Sequence, residues 1–497
     1  NYIKKDSLYY LPGDIAGITG IERAYEKQLR GEKGMRYIQK DIKLRNVGPY
    51  KNGELDKEVV SGKDLTLTID YDLQRIAEEM LVNKHGAIVA LDPNNGEILV
   101  LATGPDIDPN LFTGPNKKRN IYRLANDTIY DNKPTYDRSV QAAYPPGSPF
   151  KLLTALAGYQ MKVISDSTKF TCRHGYRMGR HTIGCHCGTY WPIGMEKAIE
   201  KSCNNYFSSV FYKITEKYGP KGRNRAIDEW KEIMNSFGLG EFMNNDLAVG
   251  AKGKIPSGEF YTKRLGEKWH PYESAIFNGM GQGDVLLTPL QMANFTAAIV
   301  NRGWYFTPHI VKSIDGKPNP DERFKKKHVT KVEPRYFDVV LKGMKDVFIG
   351  GTARGLASKE FTQLGKTGTA QVPGGRDNSI FVMAAPADKP KIVVVAVIEH
   401  AGFGATWAGP ASTIIAEKYL LGDIKRTYLY DRMIQSSFMG EYKRMYINHL
   451  TKKGWYTAPK PDPIQLKKLE DSLRLLNEKK AAQNPKKLKD TTKNNKT

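Results

Sequence analysis

Tyr144-Pro-Pro-Gly-Ser-Pro-Phe-Lys151 is the stretch on which the reading of this chain turns. Pro145, Pro146 and Gly147 break the preceding structure, and Pro149 occupies a first-turn position that needs no backbone donor. Leu152, Leu153, Leu156 and Ala157 then supply a buried helical face. Ser148 stands at the mouth of that helix, and no other serine of the chain has a lysine three residues later. Helical positions three apart share a face. The Lys151 amine therefore lies one turn from the Ser148 hydroxyl, where it can take the proton if burial or cationic neighbours suppress its own charge. The plainer reading of Ser148 is a helix cap worth about 1 kcal/mol.

Two further motifs favour the catalytic reading. Ser202-Cys203-Asn204 follows after a helical stretch, and Lys366-Thr367-Gly368-Thr369 opens a strand late in the chain. A Ser-x-x-Lys, Ser-Asp-Asn, Lys-Thr-Gly series marks β-lactamases and penicillin-binding proteins. Here cysteine replaces the middle aspartate. With Gly20-Ile-Glu22, Leu29-Arg-Gly31, Gly281-Gln-Gly283, Thr288-Pro-Leu-Gln-Met292 and Lys366-Thr-Gly-Thr-Ala-Gln371, the chain resembles a class B penicillin-binding protein from about residue 10 to 425. Such a protein is a peptidoglycan D,D-transpeptidase, and the likeness is greatest to the elongation (rod-shape) type.

The resemblance implies an α+β fold: a penicillin-recognising core, of the β-lactamase/transpeptidase kind, with a partial N-terminal pedestal. Residues 1–60 are expected to be the pedestal, 61–425 the transpeptidase domain and 426–497 a basic extension, disordered at its end. Within the core, Leu65, Leu67 and Ile69 alternate as a first strand, followed by a helix over 71–84. Residues 87–91 and 97–102 flank Asp92-Pro-Asn-Asn-Gly96, a hairpin signal. Residues 366–372, 380–384 and 392–398 read as three strands before a helix from about 410, and terminal strands of this fold share one sheet. Residues 465–480 could form an amphipathic helix.

By the same resemblance Ser148 is the nucleophile toward a D-Ala-D-Ala bond and Lys151 its base. Ser202 relays a proton to the leaving amine, and Asn204 holds Lys151 and the substrate amide. Either Ser202 or Asn204 could also cap the helix that follows. Lys366 is expected as an exposed cleft cation for the substrate carboxylate, with Thr367 and Thr369 offering hydroxyls. Gly368 lets the strand edge approach substrate, and the Ser148 and Thr369 N–H groups form an oxyanion hole. Gly281-Gln-Gly283 is first a structural turn.

All four cysteines, Cys172, Cys185, Cys187 and Cys203, lie between 172 and 203, all but one in a loop-like glycine-rich stretch, interspersed with His174, His181 and His186. Three readings stand: a structural zinc site, a disulfide in an oxidising envelope, or unlinked buried thiols. Some elongation-type enzymes use the middle residue of the Ser-x-Asn/Asp motif as a zinc ligand, which matches Cys203, and Cys172 matches the first ligand. Cys185-His-Cys187 departs from the carboxylate and histidine of better-known members, so His174 or His186 stand as alternative ligands. The chemistry itself requires no cofactor.

The chain has 497 residues and a formal net charge of +23. No nucleic-acid module accompanies that charge, so anionic envelope surfaces are the expected counterparts. No run of about 18 apolar residues spans a bilayer. The resemblance implies a transmembrane helix ahead of Asn1 and a position on the extracytoplasmic, periplasmic face of the membrane. The implied partners are peptidoglycan stem peptides, β-lactams, a multispanning glycosyltransferase and other elongation-complex proteins. Rival readings are a D,D-carboxypeptidase, a β-lactamase, a division-type transpeptidase and a non-catalytic sensor. No Glu-x-x-Leu-Asn motif follows Ser202 to deacylate as a class A β-lactamase does.

Overall fold

The structure is a computed structural model that describes residues 9–11, 14–127, 132–247 and 249–455. The chain divides into two units, Asn1–Tyr442 and Lys443–Thr497. To the second, the described residues contribute the end of the helix Met439–Lys452; the segment 465–480 lies outside them.

At the centre of the first unit is a five-stranded antiparallel sheet built from β1 (Gly86–Leu91), β2 (Ile98–Gly104), β3 (Leu364–Ala370), β4 (Asn378–Ala385) and β5 (Ile392–Ile398), in the order β3-β4-β5-β1-β2. β5 pairs with β1 from Val393↔Leu91 to Ile398↔Gly86, so the two ends of the core meet in one sheet as expected. β1, β4 and β5 are buried along their whole length. Near-continuous apolar runs such as Ile-Val-Val-Val-Ala-Val-Ile are what a sheet covered on both faces requires. Helix α1 (Tyr71–Leu81) packs with α5 (Ala408–Leu421) on the sheet, and α4 (Pro289–Val300) packs against β1, β4 and β5. The β1–β2 turn closes where the sequence signals it, with Gly96 N–H donating to Asp92 O at 2.9 Å and Gly96 in the left-handed region at φ +82°.

The strand Leu65–Leu67 corrects one expectation. It pairs with Val311–Ile314 in a separate three-stranded sheet, and Leu67 stays 38% exposed. Three residues at a sheet edge bury too little surface for alternation to report a core face.

The helix α2 (Phe150–Gln160) and its neighbour α3 (Asn204–Thr215) pack together beside the sheet. Every residue from Phe150 to Tyr159 is buried, and each leucine of that run contributes roughly 1.5–3 kcal/mol. Helix α4 starts with a capping box: Gln291 N–H donates to Thr288 Oγ1 at 3.1 Å and Thr288 N–H to Gln291 Oε1 at 3.0 Å.

Asp246 ties the N-terminal segment to the core. Its buried carboxylate accepts from Ile310 N–H and Val311 N–H, each at 2.9 Å, and from the Tyr25 hydroxyl at 3.1 Å. Asp246→Ala orphans three buried donors and is expected to cost about 3 kcal/mol, read as a lowered denaturant midpoint at unchanged slope. A midpoint shift close to zero would mean that water replaces the carboxylate.

Candidate active site

Ser148 sits on a turn that three separate segments hold in place. Tyr144 bridges Leu287, and Gly147 N–H donates to Gly281 O at 2.8 Å. Gly281 has φ +71°, and a Cβ there would lie 2.1 Å from Gly147 O, so Gly281-Gln-Gly283 is indeed a structural turn, pressed against the serine turn. Gly147 has φ +61°, and a Cβ on it would stand 3.3 Å from Thr369 O and 3.5 Å from Thr369 N. Upstream, the Tyr144 hydroxyl donates to Glu399 at 2.6 Å, and Arg138 donates to the same carboxylate at 3.0 Å.

Lys151 is wholly buried on α2. Its Nζ donates to Asn204 Oδ1 at 2.6 Å, Ser202 O at 2.8 Å and Ser202 Oγ at 3.2 Å. Ser202 Oγ in turn donates to Ser148 Oγ at 3.0 Å. The four predicted residues therefore converge, but the polar route from Lys151 to Ser148 runs through Ser202. Burial lowers the Lys151 pKa to about 8, against the opposing pull of the nearby cysteines.

Ser202 reaches this position through its backbone. The helix Met195–Glu200 ends with Ser202 N–H on Ile199 O and Cys203 N–H on Ala198 O, and Ser202 takes φ +53°. A left-handed residue just past a helix end is a common termination, though a β-carbon there costs roughly 1–2 kcal/mol. The cap of α3 is neither Ser202 nor Asn204: Cys203 Sγ accepts from Tyr206 N–H at 3.4 Å. Asn204 instead spends its amide N–H on Gly184 O at 2.8 Å.

β3 is an edge strand of the sheet. Thr367 and Thr369 line an open cleft of about 1720 Å³ together with Ser148, Ser202 and Asn204. Thr367 Oγ1 pairs with Thr352 Oγ1 at 2.6 Å, and Gln282 donates to Thr369 O at 3.3 Å. Two expectations for this strand change. A Cβ on Gly368 would meet Pro149 Cδ at 2.7 Å, so the glycine admits the serine turn rather than an open approach to ligand. Lys366 is fully buried, not exposed. Burial, with the nearby Lys151 charge adding to it, pushes the Lys366 ammonium well below the usual lysine range.

Behind the Ser202–Asn204 segment the four cysteines meet. Their sulfurs all lie within 4.8 Å of one another, every one buried. The span read as a loop is a hairpin, Gly175–Met178 paired with His181–Gly184, which delivers Cys185. Cys185 Sγ accepts from Asn204 N–H at 3.2 Å and lies 3.9 Å from Cys203 Sγ. The side-chain contact with Cys203 holds the Cys185 thiol down at about 4, while the same contact and burial push Cys203 up. Burial raises Cys172 to about 12. His174 and His186 are exposed and stand outside the sulfur cluster.

Residues 86–421 match the family described as penicillin binding protein transpeptidase domain, and residues 1–67 match the penicillin-binding protein dimerisation domain. The chain belongs to the penicillin-binding protein transpeptidase family. This transpeptidase-family chain is 34% identical over 442 residues to the peptidoglycan D,D-transpeptidase MrdA of Acinetobacter baumannii, covering 82% of its own length and 61% of that protein's. It therefore spans about three-fifths of that relative. Among solved structures it is similar to Pseudomonas aeruginosa PBP2 in complex with WCK 5153, at 33% identity and TM-score 0.68, over 83% of this chain and 86% of that one. It is also similar to a chain from a structure described as the structural coordination of polymerization and crosslinking by a peptidoglycan synthase complex. That likeness has 30% identity and TM-score 0.71, over 84% of this chain and 72% of the other. Among the described residues no helix is long and apolar enough to cross a membrane.

Proposed function

We propose that this chain is a peptidoglycan D,D-transpeptidase of the elongation type, acting through a Ser148 acyl-enzyme and acylated by β-lactams. The observation that carries the reading is the continuous chain Ser148–Ser202–Lys151–Asn204 beside the β3 edge. With Lys151 neutral, the chain can run outward from Ser148: its proton passes to Ser202 Oγ, whose own proton moves to Lys151 Nζ. Ser148 Oγ then bonds to the carbonyl carbon of the D-Ala-D-Ala peptide. The oxyanion is received by the N–H groups of Ser148 and Thr369, a pairing supported by the close approach of Gly147 to Thr369. A donor of this kind is worth ~3–4 kcal/mol. Collapse breaks the C–N bond, and the proton returns through Ser202 to the departing D-alanine nitrogen. Thr367 and Thr369 hold the substrate carboxylate, and its negative charge restores the Lys366 ammonium that burial disfavours. A peptide amine then resolves the ester.

On this reading it is a membrane-anchored periplasmic enzyme that works with a multispanning glycosyltransferase and other elongation-complex proteins; the similar chain from a peptidoglycan synthase complex supports a synthase partner. The test is mass analysis of the protein after benzylpenicillin: one adduct per chain is expected, on the peptide carrying Ser148. An adduct on any other serine overturns the assignment.

Cys172, Cys185, Cys187 and Cys203 fit a closed zinc site. Sulfurs around zinc at about 2.3 Å in a tetrahedron stand roughly 3.8 Å apart, close to the Cys185–Cys203 spacing of 3.9 Å. The converging N–H donors also favour thiolate. Bound there, the metal supplies structural cross-linking rather than chemistry. The four cysteines fasten the hairpin and the α3 cap behind Ser202 and Asn204, fixing both side chains toward the cleft. Elemental analysis of protein purified without added metal is expected to give one zinc per chain, with four reactive thiols after chelation and denaturation. No zinc with two unreactive sulfurs would mark a disulfide instead.

A further inference from the structure

The cleft that holds Ser148 contains two carboxylates among its lining side chains, Glu273 and Asp377. Glu273 is already engaged, accepting from His270 N–H at 2.9 Å. Asp377 differs. It is half-buried, and among the described residues no hydrogen bond or ion pair reaches its carboxylate; only its backbone carbonyl is used, by Gly402 N–H at 2.7 Å. Lys201, the lysine that lines the same cleft outside the buried pair, is held by Gly350 O at 2.7 Å and Glu200 at 3.1 Å.

β3 and β4 pair as far as Thr369↔Ser379 and Ala370↔Asn378. Gln371 follows β3 directly and Asp377 directly precedes β4. Thr367, Thr369, Gln371 and Asp377 all line the cleft, so the Asp377 carboxylate shares the cleft wall with the hydroxyls that receive the donor's carboxylate. An uncompensated negative charge beside an anion site weakens donor binding unless a cation also occupies the cleft.

We infer that Asp377 binds the ammonium of the acceptor peptide and so selects an amine over water to resolve the acyl-enzyme. The inference rests on the transpeptidase reading of Ser148. In the transfer, the ammonium gathered at Asp377 releases one proton to bulk water. The amine nitrogen bonds to the ester carbonyl carbon, the bond from that carbon to Ser148 Oγ breaks, and the second proton passes to Ser148 Oγ. Products are an amide and the regenerated serine. Removing the charge raises the acceptor concentration needed, because a charge-assisted contact is lost from a half-buried site.

The experiment forms the acyl-enzyme from a D-alanyl thioester donor and measures its partition between hydrolysis and transfer to a lysine-containing tripeptide. In Asp377→Asn the half-saturating tripeptide concentration is expected to rise roughly tenfold or more, with Asp377→Glu restoring most of the loss and thermal midpoints staying level. An unchanged half-saturating concentration in Asp377→Asn, with acyl-enzyme still forming, overturns the inference while leaving the Ser148 reading intact. An equal loss in Asp377→Asn and Asp377→Glu, tracking a lowered midpoint, also overturns it, since that pattern belongs to a structural role. Wild-type protein that forms no acyl-enzyme at all overturns the transpeptidase reading and takes this inference with it.

Discussion

Ser148→Ala is expected to abolish covalent labelling by a fluorescent penicillin, with no residual adduct at long incubation. On the proposed mechanism the nucleophilic oxygen is the atom removed. Folding is expected to change little. The substitution deletes the acceptor of one hydrogen bond, from Ser202 at 3.0 Å, worth about 1 kcal/mol. Ser202 Oγ keeps its contact with Lys151. Labelling that persists in a folded Ser148→Ala protein would place the nucleophile elsewhere.

Lys151→Met is expected to slow penicillin acylation roughly 10²- to 10⁴-fold, the range for loss of a positioned acid or base. Methionine keeps the length and apolar stem of the side chain, so the buried volume is nearly conserved. Three acceptors nevertheless lose their donor: Asn204 Oδ1, Ser202 O and Ser202 Oγ. Stopped-flow acylation separates the two consequences. A base role lowers the acylation rate constant far more than it weakens penicillin binding before the covalent step. A change confined to binding would make Lys151 a substrate-positioning group only.

The sequence showed most where periodicity or turn chemistry is local. Leu152, Leu153 and Leu156 mark the buried face of α2, and the Ser148/Lys151 spacing puts both groups at one helix end. Asp92 to Gly96 closes a hairpin by its own residues, and the apolar run of β5 needs cover on both faces. Site features set by distant partners left no such mark. Ser202 adopts φ +53° because the preceding helix ends on the carbonyls of Ala198 and Ile199, which no serine propensity announces. Lys366 looks like a surface cation in its strand, yet the serine turn and the helix Phe337–Ile349 pack against β3 and Lys366 is wholly buried. The cysteine hairpin hides in glycine-rich sequence whose strands are only four residues long. Asp246 and Tyr25 are 221 positions apart, so nothing near either one foretells their pairing. Leu429, Met433, Phe438 and Tyr442 are buried residues of the first unit. They sit in sequence whose polar flanks mask them.

The most direct test follows both products of one reaction. The protein, with a partner glycosyltransferase, is given lipid-linked peptidoglycan precursor, and released D-alanine is counted against cross-linked muropeptide. If Ser148 forms an acyl-enzyme that a peptide amine resolves, the two rise together in near-equal amounts and both vanish in Ser148→Ala. D-alanine released without cross-links would contradict the account, because the acyl-enzyme would then be meeting water and the chain would be a carboxypeptidase.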